Sequence, residues 1–169
     1  MKAMQTVCAL FVLAALGASG GTSADVHVHK RVIERGRYLV RIGGCNDCHT
    51  PNYPQAGGQI PEADWLMGNP VGFQGPWGTT YPSNLRLVAN SLSEAQWLKT
   101  ARAEMRPPMP WFGLRQMTDT DLQAVYWYVR SLGAKGEPAP AYAPPGQPPN
   151  TPYIVLVPQN LPKQAQAGR

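Results

Sequence analysis

The chain has 169 residues, with 15 Lys and Arg against 10 Asp and Glu, and it carries 18 Pro and 17 Gly. That length holds one small domain with extensions, and so much Pro and Gly excludes a chain built mainly of long regular elements. The positive excess is mild and dispersed, which argues against a nucleic-acid partner and leaves only weak steering toward an acidic protein.

Lys2, an apolar run from Cys8 to Leu16, and a stretch ending in Thr22 and Ala24 have the charged, hydrophobic and small-residue parts of a secretory signal. The expected signal peptide is 1–24, cleaved after Ala24. The apolar run is too short for a membrane anchor, which needs about 20 residues. No later segment is long enough either, so the mature chain is expected to be exported, without a membrane span.

From Lys30 to Gly44, apolar Val32, Ile33, Leu39 and Val40 recur with Gly36 at steps of three and four, which predicts a helix stopped by Gly43 and Gly44. Arg31, Arg35, Arg37 and Arg41 are read as its solvated face. Gly36 costs about 1 kcal/mol relative to Ala in such a position. A close neighbour is therefore expected there, and Tyr128 is the residue proposed to fill it.

The helix leads into Cys45-Asn46-Asp47-Cys48-His49. Two thiols three residues apart and an adjoining imidazole have the spacing of a covalent c-type haem site, in which both sulfurs join the porphyrin and the histidine reaches its iron. A zinc site would need about four N or S ligands. Only Cys8, His27 and His29 remain to supply them, and Cys8 belongs to the expected signal.

Thr50 to Asn84 shows neither helical nor strand periodicity and is predicted as loop. Its length is explained if Tyr53, Trp65, Phe73, Trp77 and Tyr81 wrap a flat apolar ring. Pro61 or a neighbouring carbonyl is the expected acceptor for the ring N–H of His49, the bond that orients a ligating imidazole. Ser91 or Ser93 opens a helix running to Met105, with Leu92, Trp97, Leu98 and Ala101 on its apolar side. In Arg106-Pro107-Pro108-Met109-Pro110-Trp111 the prolines forbid helix and fix the backbone, so Met109 is the best candidate for the second axial ligand. Met67, Met105 and Met117 are weaker candidates with ordinary packing roles, and His27 and His29 are read as solvent residues. Thr118 and Asp121 form a capping box for a last helix, whose apolar face runs through Leu122, Val125, Tyr128, Val129 and Leu132, with Tyr126 and Trp127 pointing elsewhere. Glu137 to Pro152 should leave the domain as an extended linker. The apolar run Tyr153–Val157 then either folds back on its own domain or adds to a dehydrogenase surface.

The order helix, C-x-x-C-H, aromatic loop, helix, Pro-Pro-Met-Pro-Trp and Met-Thr-Asp-Thr-Asp-Leu, over roughly Lys30 to Leu132, resembles a class I c-type cytochrome. Within that family it is most similar to single-haem domains that serve periplasmic dehydrogenases, including alcohol dehydrogenase cytochrome subunits. The segment Tyr81–Asn84 resembles the family's stretch near the haem propionates. The resemblance implies a mainly α class I cytochrome c fold, with long loops around one covalent haem c and an extended Pro-rich C-terminal tail. Its domains would be 1–24 signal, 25–136 cytochrome and 137–169 linker and tail. It implies that Cys45 and Cys48 attach the haem, that His49 and Met109 ligate its iron, and that Gly36 meets Tyr128. The expected function is periplasmic one-electron transfer, not catalysis, between a dehydrogenase donor and an oxidase or another cytochrome. A fixed subunit of a dehydrogenase complex is the alternative. An open-iron haem enzyme or gas binder is disfavoured: a di-haem peroxidase would need a second C-x-x-C-H, and four-helix gas binders carry theirs near the C-terminus.

Overall fold

The computed structural model describes residues 23–159, and the expected signal lies outside them up to residue 22. The molecule is mainly helical, as the resemblance implied. Helix α1 (Ser23–Ile42) starts earlier than Lys30, because no Gly or Pro breaks the chain between Ser23 and Arg35. It stops where Gly44 takes a positive φ of 68° and turns the chain into the short helix α2 (Cys45–His49).

Helix α6 (Asp119–Ser131) lies against α1, and Gly36 is the reason the two approach so closely. A Cβ at position 36 would collide with the Ala124 carbonyl and come within 2.6 Å of Tyr128 Cβ. The expected contact between Gly36 and Tyr128 is therefore present. Around it Leu39, Val40, Val125, Tyr128 and Val129 form the core, joined by Trp65, Leu66 and Trp97, and Leu122 is buried as well. Tyr126 belongs to that core too, at 1% exposure, which corrects the expectation that it points away. Its hydroxyl donates to the Leu92 carbonyl, so the ring is held where the polar tip is satisfied.

Two further helices follow the loop, α3 (Leu85–Ser91) and α4 (Glu94–Arg102). Ser93, not Ser91, caps α4, in a reciprocal box with Gln96. Helix α5 (Trp111–Gln116) has no counterpart among the sequence expectations, since it begins directly behind Pro110 and has only six residues.

The segment expected to be irregular contains a hairpin, β1 (Gly72–Gly75) and β2 (Gly78–Thr80), antiparallel with Phe73 opposite Thr80. A third strand, β3 (Tyr153–Val155), pairs parallel to β1 with Ile154 opposite Phe73, in the order β2-β1-β3. The apolar run Tyr153–Val157 therefore folds back on its own domain, one of its two expected placements, while the stretch expected to leave the domain as an extended linker is tied to it at Ala143. The sheet was not readable locally because each strand is short and Gly-rich and its partners come from far along the chain. Among the described residues, no helix is long and apolar enough to cross a membrane.

Candidate haem site

Cys45, Cys48 and His49 share one turn of α2. The two sulfurs are free of any disulfide, and both cysteines are half-buried. Burial, helped by Asp47, pushes the Cys45 thiol up to about 11 and raises that of Cys48, so both are neutral near pH 7. That argues against a thiolate nucleophile or redox dithiol, which requires a lowered pKa.

His49 is buried, and its Nδ1 lies 2.7 Å from the Ser83 carbonyl, to which it donates. This corrects the expected acceptor near Pro61: Pro61 instead precedes the 3-10 turn Glu62–Asp64 and its carbonyl accepts from the Asp64 amide. Burial lowers the imidazole pKa, with the Ser83 bond opposing. The ring is accordingly neutral, and with Nδ1 carrying the proton, Nε2 holds the lone pair.

The backbone around His49 is tied on both sides. Its carbonyl accepts from the Gly68 amide at 2.8 Å. The hydroxyl of buried Thr50 donates to Asn46 Oδ1 and accepts from the Leu66 amide. Leu66 is fully buried at a positive φ of 62°, a conformation that non-glycine residues avoid, and this bond helps to hold it there.

Met109 lies half-buried on the loop between α4 and α5. Both ends of that loop are fastened. Arg102 donates to the carbonyls of Leu114 and Arg115, and Arg115 Nε donates back to the Arg102 carbonyl. Within the loop, Met109 N–H bonds the Arg106 carbonyl and Met109 C=O accepts from Trp111, while the Pro107–Pro108 peptide is cis. The Pro107 carbonyl accepts from the Thr80 hydroxyl at 2.6 Å. Thr80 is three residues before Ser83, so one extended segment of at most about 10 Å touches the Met109 loop at one end and His49 at the other. Sequence reasoning missed Thr80 and Ser83, whose contacts depend on chain folding alone.

The aromatic residues expected around one ring are divided. Trp65 is core, with its Nε1 donating to the Ile60 carbonyl and Tyr53 set edge-on to it. Trp77 donates to Phe73 C=O within the hairpin, and the Tyr81 hydroxyl pairs with Thr151 of the tail. Met67, Met105 and Met117 are all half-buried, and Met117 packs against the core. His27 and His29 are exposed.

A family model for cytochrome c matches residues 33–133, more than half of the chain. The chain belongs to the cytochrome c family.

The matched span of this class I c-type cytochrome starts within α1 and ends at the turn behind α6. The fructose dehydrogenase cytochrome subunit of Gluconobacter japonicus is 33% identical over 120 residues, covering 66% of this chain and 24% of that protein. A nicotinate dehydrogenase subunit of Pseudomonas putida is 26% identical over 121 residues, covering 65% of this chain and 9% of that protein. The cytochrome thus spans a quarter or less of the length of these relatives. No solved structure matches it.

Family membership implies a covalent haem c and electron transfer. The donor set fits that group: two neutral thiols one helical turn apart, and a buried neutral imidazole whose Nε2 makes no hydrogen bond among the described residues.

Proposed function

We propose that this cytochrome is a periplasmic one-electron carrier with a single haem, attached through Cys45 and Cys48 and ligated by His49 and Met109. The observation that carries the reading is the fixed orientation of His49, whose Nδ1 proton is held by the Ser83 carbonyl while Nε2 remains available. Bound haem supplies a reversible change between ferrous and ferric iron. Cys45 and Cys48 hold it on α2, and the bond to Ser83 sets the tautomer of His49 and raises its basicity as a ligand. Met109 offers a thioether from a backbone restrained by three prolines and by the cross-linked ends of α4 and α5. Held by both His49 and Met109, the iron would be closed to substrates, and the group would supply electron exchange alone.

The test is spectroscopic. Oxidised protein is expected to show the methionine-sulfur to ferric charge-transfer band in the far red, and Met109→Ala is expected to abolish it. A band that survives Met109→Ala but disappears in Met105→Ala would overturn the ligand assignment. Ready binding of carbon monoxide by the reduced wild type would overturn the six-coordinate carrier. Export is checked by the mass of the mature protein, expected to begin at Asp25 and to carry one haem.

A second reading, a fixed component of a dehydrogenase complex, draws support from the two relatives, which are dehydrogenase subunits. Co-purification of the native cytochrome with a dehydrogenase would decide for it.

A further inference from the structure

The tail crosses the molecule on the side of the Met109 loop, and it does so through specific contacts. Ala143 forms a two-bond antiparallel bridge with buried Thr79, with N···O distances of 2.7 and 3.0 Å. The Tyr142 hydroxyl donates to the Trp77 carbonyl at 2.7 Å, which fixes the ring at the hairpin turn. The Arg106 guanidinium lies over that ring, 4.0 Å from its centroid, a close cation–π contact. Arg106 is the first residue of the proline-rich segment that holds Met109, and its carbonyl accepts the Met109 N–H. Beyond the bridge, the tail is secured again where Tyr81 meets Thr151, Gly72 N–H meets the Pro152 carbonyl, and Leu156 N–H meets the Gln74 carbonyl. Gly78 allows the close pass of the strap: at φ 95°, a Cβ there would stand 3.0 Å from the Pro144 backbone.

We infer that the tail is a strap on the ligand loop and that Tyr142 is a positioning residue for Met109, acting through Arg106. The inference rests on the assignment of Met109 as an axial ligand. Met109 is restrained from one side by Thr80 at Pro107 and from the other by Tyr142 at Arg106. Both restraints hang on the same hairpin, whose chain continues to the Ser83 carbonyl that orients His49. The strap thus joins the two candidate ligands to one rigid frame, in which the thioether loses little freedom on meeting the iron.

The experiment uses the full-length ferric holoprotein and measures the affinity of added imidazole, which competes with the methionine, alongside the far-red band. Loss of the cation–π contact with Arg106 is expected to make Tyr142→Ala bind imidazole about tenfold more tightly. Tyr142→Phe, which keeps the ring on Arg106, should recover most of that difference, whereas Arg106→Gln should match Tyr142→Ala. The double variant should add little to either, since both remove one shared contact. Ile154→Ala serves as the control: it weakens the strand pairing without touching the Met109 loop and should leave imidazole affinity near wild type. Unchanged affinity in Tyr142→Ala, or an equal rise in Ile154→Ala, would overturn the positioning role. Failure of the ligand assignment reads differently: the wild-type band would then be absent or indifferent to Met109→Ala, and the positioning role would fall with it.

Discussion

At the scale of single residues, two positions decide whether the frame around the haem motif can form. Any side chain at Gly36 must displace the Ala124 backbone or Tyr128 Cβ, neither of which can swing aside as a flexible chain end would. Gly36→Val is therefore expected to destabilise the holoprotein by about 1 to 3 kcal/mol in denaturant unfolding, despite adding apolar surface. A change within about 0.5 kcal/mol would show that α1 and α6 part at little cost. Arg86 is the second position. At 5% exposure it donates to the carbonyls of Ala63, Leu132 and Gly133, so a buried cation closes the C-terminal end of α6 and joins it to the turn at Glu62–Asp64. Arg86→Ala would strand those carbonyls, and a loss of about 2 to 4 kcal/mol is expected by the same measurement. Arg86→Lys should recover only part of it, because one ammonium cannot fork across three acceptors. The sequence pointed to Gly36 through its misfit in a helical face. Nothing pointed to Arg86, since its partners are all backbone groups.

At the scale of elements, α6 is held by its first turn and by its pairing with α1. Thr118 accepts the Asp121 N–H, as expected of a cap, but the Asp121 carboxylate is turned outward to Arg35 Nε at 2.9 Å. Half of the expected box is thus exchanged for an interhelical ion pair. The hydrogen bond from Arg35, joined by its charge and by Thr118, holds the Asp121 carboxyl below the usual carboxylate range. A depressed native pKa stabilises above the unfolded value of about 4 and loses that contribution as pH falls through the native one. Asp121→Asn should therefore lower the unfolding midpoint at pH 7 while matching wild type near pH 2, with the difference shrinking in high salt because the pair is largely solvated. A midpoint difference that persists unchanged at low pH would assign the effect to packing. Thr118→Ala should cost about 1 kcal/mol at pH 7 and less near pH 2, because its hydroxyl also helps to hold the Asp121 carboxyl down.

At the scale of the whole molecule, the protein core lies mainly between α1 and α6, while the short helix of C-x-x-C-H and the Met109 loop are held chiefly by hydrogen bonds to other loops and helix ends. So limited a core depends on its prosthetic group. Cys45→Ala with Cys48→Ala, which prevents covalent attachment, is expected to leave a chain with reduced helix by circular dichroism and no cooperative thermal transition. A sharp transition near that of the holoprotein would show that the polypeptide folds unaided. The sequence by itself determined the chemistry: C-x-x-C-H is a local spacing on a single helical turn, and the helical faces, the Thr118 cap, a cap at Ser91 or Ser93 and the Gly36 misfit are also set by neighbours within a few residues. The tertiary structure decided what depends on distant chain. Ser83, not a carbonyl near Pro61, receives the His49 proton, and Leu66 is held at a positive φ by a hydroxyl 16 residues away. The stretch Glu137–Pro152, whose prolines read as an extended linker, is drawn onto the hairpin, because β1 and Thr79 offer backbone N–H and C=O groups that Ala143 and the strand at Tyr153–Val155 arrive to pair. Local sequence cannot display such needs: an unpaired backbone group is common to nearly every residue, and only the fold reveals which ones lack a partner.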